Sequence, residues 1–96
     1  MNVLVTYDVA TTSPEGRRRL RRVARVCKNF GQRVQYSVFE CQVGDKEWVA
    51  LKHDLLEEMN PNEDSLRFYF LGEDVAKRTE HYGTKPSIDF EDTLIV

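Results

Sequence analysis

Apolar and β-branched residues dominate Val3 to Val9, a run too short for a helix, so the pattern predicts a strand with Asp8 near its C-terminal end. A hydroxyl-rich loop follows. Ser13-Pro14-Glu15 then supplies an N-cap hydroxyl, a proline at the first helical position and an acid in the first turn, which mark a helix start. Leu20, Val23, Ala24, Cys27 and Phe30 follow the spacing of one buried stripe, and Gly31 marks the stop. Arg33 to Val43 has β composition throughout and is read as two short strands hinged near Ser37. Gly44-Asp45 opens a second helix with a stripe of Trp48, Leu51, Leu55, Leu56 and Met59, ended by Asn60-Pro61. Ser65 to Leu71 sets Leu66, Phe68 and Phe70 against Arg67 and Tyr69, the alternation of a strand.

The order β-α-β-β-α-β predicts an α+β, ferredoxin-like sandwich, an antiparallel sheet with both helices on one face. After Leu71 comes a charged stretch without clear periodicity and then the short β run Thr93 to Val96. A strongly apolar end of this kind is expected to pair with a sheet edge, its own or a partner's. The 96 residues are expected to form a single domain, near the size at which association helps a small core, so dimerisation is a reasonable expectation.

Composition narrows the function classes. Charged residues make up 31% and hydrophobic residues 41% of the chain, the balance of an ordinary globular protein. No stretch approaches the roughly 20 apolar residues of a membrane span, and the N-terminus has no signal-peptide pattern, so a cytoplasmic protein is expected. Cys27 and Cys41 stand far apart with no histidine at ligand spacing and are expected in the core rather than at a zinc or redox centre. His53 and His81 have no paired nucleophile or orienting acid, and no glycine-rich phosphate loop is present.

Charge is distributed unevenly. The net charge is -2, yet residues 1 to 33 carry eight Lys or Arg against two acids, a balance of +6. Binding follows the local potential rather than the total. Arg17, Arg18, Arg19, Arg21, Arg22 and Arg25 crowd one helix without an intervening acid, and like charges three and four residues apart repel. A phosphate backbone would relieve that repulsion through guanidinium contacts and counterion release. A solvated helix face is the simpler alternative. Asp8 likewise has two readings: a carboxylate that caps a turn or the next helix, or a ligand for a hard divalent cation. One aspartate makes a poor metal site, whereas two copies related by a two-fold axis place the same residue opposite itself.

Three stretches carry a family resemblance that covers essentially the whole chain: "VLVTYDV", ending in Tyr7-Asp8-Val9; "GQRVQYSVFEC", with Ser37-Val38-Phe39-Glu40 at its centre; and the β-α-β-β-α-β order with a C-terminal strand. The chain resembles the small CRISPR-associated endoribonuclease and endonuclease family that partners the CRISPR integrase in spacer acquisition. The arginine helix and the ending "KPSIDFEDTLIV" look most like the subtype I-C branch. The resemblance implies a homodimer with facing sheets, each C-terminal strand, about residues 93–96, extending the partner's sheet. It also implies that Asp8 binds magnesium and is the catalytic residue, opposite its symmetry mate in the cleft between subunits. The substrate it implies is RNA, duplex DNA or both. On this basis Arg17, Arg18, Arg19 and Arg33 are expected to contact nucleic acid, with Tyr7 and Phe39 supporting the geometry of Asp8. The alternatives are a non-catalytic scaffold that binds duplex DNA and bridges integrase subunits, with Asp8 structural, and a toxin-like ribonuclease or RNA binder outside the CRISPR context.

Overall fold

A computed structural model describes residues 1–83. The elements are β1 (Asn2–Asp8), α1 (Pro14–Phe30), β2 (Gly31–Gln35), β3 (Val38–Gln42), α2 (Asp45–Glu58) and β4 (Ser65–Leu71). They form one four-stranded antiparallel sheet in the order β2-β3-β1-β4. This is the expected β-α-β-β-α-β arrangement. The expected C-terminal strand at 93–96 lies outside the described residues.

Local chemistry accounts for the boundaries. The Ser13 hydroxyl accepts a hydrogen bond from the Gly16 amide at 3.1 Å, satisfying one of the free donors at the start of α1. At the other end Gly31 leads directly into β2, so the chain turns from helix to strand with no connecting loop. That turn needs a glycine for space: a Cβ at position 31 would lie 2.6 Å from Cys41 Sγ and 2.8 Å from Cys41 Cα. The Glu47 carboxylate accepts from the Gly44 amide at 2.9 Å and closes the start of α2.

Val3, Val5 and Tyr7 of β1 alternate onto one sheet face with Phe39 and Cys41 of β3. That face meets Val23 and Cys27 of α1 and Leu51 and Leu55 of α2 to form the core. Both thiols are buried there, as expected, and burial pushes Cys27 up to about 12 and Cys41 up to about 11.

The expected α2 stripe is too wide at one end. Leu56 is 50% exposed and Met59 is only partly buried, because Leu51 and Leu55 already fill the space over the sheet. Phe70 of β4 keeps the expected alternation. It points to the helix side, but β4 is an edge strand, and Phe70 stays 62% exposed while packing edge-on against Trp48 at 5.1 Å. No helix among the described residues is long and apolar enough to cross a membrane.

Candidate metal and nucleic-acid site

Strand alternation decides where Asp8 sits. Tyr7 turns inward to the helices, so Asp8, together with Thr6 and Leu4, belongs to the opposite, helix-free face of the sheet. Its carboxylate is exposed at the end of β1, opposite Ser65 of β4. No other described residue bonds to that carboxylate.

The capping and turn-tying work is done by other groups. Ser13 caps α1, and the acid that fastens the β1–α1 loop is Asp64, which accepts from the Ala10 amide at 3.1 Å and from the Asn60 amide at 2.9 Å. Arg19 adds a two-pronged contact to the same carboxylate, Nε to Oδ2 at 2.8 Å and Nη2 to Oδ1 at 3.1 Å. The Asp64 side chain is 1% exposed and that of Arg19 is 12% exposed. The Arg19 guanidinium and the two amides hold the Asp64 carboxyl at about 2, below its ordinary 3.8.

The other arginines part company. Arg17 is exposed beside the loop and donates from Nη1 to the Thr11 carbonyl at 3.2 Å. Arg18 lies 3.5 Å from Glu15, and Arg22 lies 4.0 Å from Glu58. Arg19 also reaches Glu63 at 3.1 Å. The repulsion along α1 is therefore relieved partly within the chain, by acids of its first turn, of α2 and of the turn before β4. Arg17, Arg18, Arg21, Arg22 and Arg25 remain exposed, on the helical layer rather than on the face that carries Asp8.

Arg33 belongs to a third group. Its register partner is Phe39, and its guanidinium carbon lies 5.0 Å from the centre of that ring. Phe39 is fully buried and stacks on Tyr7 at 6.2 Å. The Tyr7 hydroxyl donates to the Tyr36 carbonyl at 3.3 Å, and the Tyr7 amide donates to the Ser37 carbonyl at 3.1 Å. Burial pushes the Tyr7 phenol up against the opposing pull of Arg33. These contacts fix the β1 backbone one residue before Asp8.

Asp8 suits magnesium chemically, being an uncommitted hard oxygen donor in contact with solvent. It is a single ligand, however. Among the described residues no three His, Cys, Asp or Glu side chains are grouped to hold one ion. A complete shell would need a second copy of the chain, water or phosphate.

Comparison with known proteins supplies the family. Residues 1–79 match the family model described as CRISPR associated protein Cas2. The CRISPR-associated endoribonuclease Cas2 of Chlorobaculum tepidum is 60% identical over 96 residues, covering 100% of both chains. The CRISPR-associated endonuclease Cas2 of Halalkalibacterium halodurans is 53% identical, covering 99% of each chain. The crystal structure of Streptococcus pyogenes Cas2 aligns with a TM-score of 0.78 at 53% identity, over 86% of this chain and 100% of that one. With its sheet order, its strand-end aspartate and these similarities together, the chain belongs to the Cas2 family of CRISPR-associated proteins.

Proposed function

We propose that this chain is a cytoplasmic CRISPR adaptation protein of the subtype I-C branch. It forms a homodimer, hydrolyses phosphodiester bonds of RNA or duplex DNA with magnesium, and joins the CRISPR integrase in capturing spacers. The observation that carries the nuclease reading is the Asp8 carboxylate, exposed and free of structural duty because Ser13 and Asp64 take the capping roles. The names of its relatives, endoribonuclease and endonuclease, support the same class of reaction.

Asp8 from each copy would hold the cation between the two subunits. Magnesium bound there would supply Lewis-acid polarisation of the phosphate and activation of a water. Tyr7 and Phe39 keep the end of β1 in place, and Arg17, Arg18 and Arg33 are the candidates for backbone phosphates. Arg19 is committed to Asp64 and Glu63 and serves the fold. The test is cleavage of matched RNA and duplex DNA by the wild type and Asp8→Ala, with and without magnesium. Metal-dependent cleavage lost in the variant is the expected result; full activity in Asp8→Ala overturns the assignment.

The separation of the exposed α1 arginines from the Asp8 face favours a second reading, a scaffold that clamps duplex DNA on its helical layer and bridges integrase subunits. Under it, spacer acquisition survives Asp8→Ala and is lost when Arg17 and Arg18 are changed to Glu. The reverse pattern excludes the scaffold.

A further inference from the structure

Strand register brings one basic side chain to the face that carries Asp8. Asp8 is opposite Ser65, and Thr6 is opposite Arg67, so Arg67 is the diagonal neighbour of Asp8 across the β1–β4 pair. Such diagonal positions lie about 7–8 Å apart, within reach of a long side chain. The other described strand residues on this face include no Lys or Arg, and Glu40 is the one further charge among them.

The two opposite charges do not neutralise each other. The Arg67 guanidinium turns along its own strand, donating from Nη1 to the Tyr69 hydroxyl at 2.9 Å, with its central carbon 5.8 Å from the Tyr69 ring centre. Among the described residues Arg67 has no carboxylate partner, in contrast to Arg18, Arg19 and Arg22. A guanidinium bonded once to a phenol keeps most of its five donors available in a planar fork suited to phosphate oxygens. An exposed cation bonded to a phenol and an exposed carboxylate bonded to no described residue, at diagonal positions on one sheet face, form a pair of sites for an anion and a cation.

We propose that Arg67, oriented by Tyr69, is the phosphate-binding side chain of the Asp8 face. It grips a phosphodiester of the nucleic-acid strand that Asp8 addresses. The proposal rests on the reading of Asp8 as the centre of a nucleic-acid site, and it assigns to β4 a contact that the arginine-rich helix, on the other side of the sheet, is not placed to make.

The test separates binding from cleavage. Binding of a 5′-labelled single-stranded RNA and of a matched DNA duplex is measured by fluorescence anisotropy in EDTA, where no magnesium-dependent cleavage runs, over a range of salt concentrations. Arg67→Gln is expected to weaken binding by about tenfold. The salt slope is expected to fall by about one per chain. Arg67→Lys keeps the slope and recovers part of the affinity, and Tyr69→Phe keeps the slope with a smaller loss. Lys52→Gln, on the exposed surface of α2, leaves binding unchanged.

In magnesium, Arg67→Gln raises KM more than it lowers kcat. Unchanged affinity and slope in Arg67→Gln overturn the proposal, as does a wild type that binds neither probe. Sedimentation that shows Arg67→Gln dissociating the subunits also overturns it, since the side chain then serves association. Loss of binding in Arg67→Gln beside a wild type that never cleaves leaves the phosphate contact standing and removes the nuclease reading alone.

Discussion

Arg19 and Asp64 are joined by two parallel hydrogen bonds of 2.8 and 3.1 Å, and through them the third arginine of the basic run is tied to the turn before β4. The same carboxylate holds Ala10 and Asn60, so one side chain connects the β1–α1 loop, α1 and the α2–β4 turn. Removing it leaves two amides without their acceptor and strips Arg19 of its two-pronged partner, with only the Glu63 contact remaining. Asp64→Ala is expected to destabilise the fold by about 3 kcal/mol, read as a shift in the urea midpoint at neutral pH.

The same pair sets an acid limit. Asp64 is held at about 2 in the folded chain against an ordinary 3.8, so the folded state binds its proton less readily than the unfolded one. Its contribution is complete above about pH 4 and is lost as pH falls toward about 2. Urea titrations of wild type and Asp64→Asn from pH 5 to about 2 should show the stability gap between them closing across that window.

Asp8 should behave in the opposite way to Asp64. Its carboxylate is exposed and bonds to no described residue, so Asp8→Asn is expected to change stability by less than about 0.5 kcal/mol. Metal-dependent cleavage should nevertheless be lost. A thermal melt and a cleavage assay on the same preparation test this separation of fold from function.

Gly31 is expected to resist even the smallest side chain. A Cβ there meets the Glu40 carbonyl and the Cys41 side chain and backbone, where β2 leaves α1 without a loop. Gly31→Ala should lower stability by about 2 kcal/mol, measured by chemical denaturation, through overpacking rather than through backbone torsion.

The two thiols report on opening of the core. Cys27 and Cys41 are buried and protonated at neutral pH, with values of about 12 and about 11. A thiol reagent such as DTNB should label them in the native protein only as fast as the core opens, and at full speed in denaturant. Rapid native labelling would place at least one thiol outside the packed layer.

Much of the fold was legible in the chain because its signals are local. Ser13-Pro14, Gly31, Gly44 and Asn60-Pro61 punctuate the helices, and the alternation through Ser65–Leu71 fixes which side chains share a face. The expected α2 stripe runs past the core at Leu56 and Met59, whereas the alternation of β4 holds through Phe70. Periodicity identifies a face but does not say where the opposing layer ends. Asp8 stood out as a carboxylate closing a β-branched run, and the structure leaves it without the capping role that was its simpler explanation.

Sequence alone determined the element order, the strand-end position of Asp8 and the crowding of positive charge on α1, since each depends on neighbours a few residues apart. Tertiary structure sorted the arginines. Arg19 finds its acids 44 and 45 residues away, Arg33 lies over Phe39, and Arg67 reaches the Asp8 face only through the pairing of β1 with β4. Which charge remains available for a ligand depends on long-range partners. Local spacing does not encode them, because antiparallel pairing and helix docking bring them together only when the chain closes.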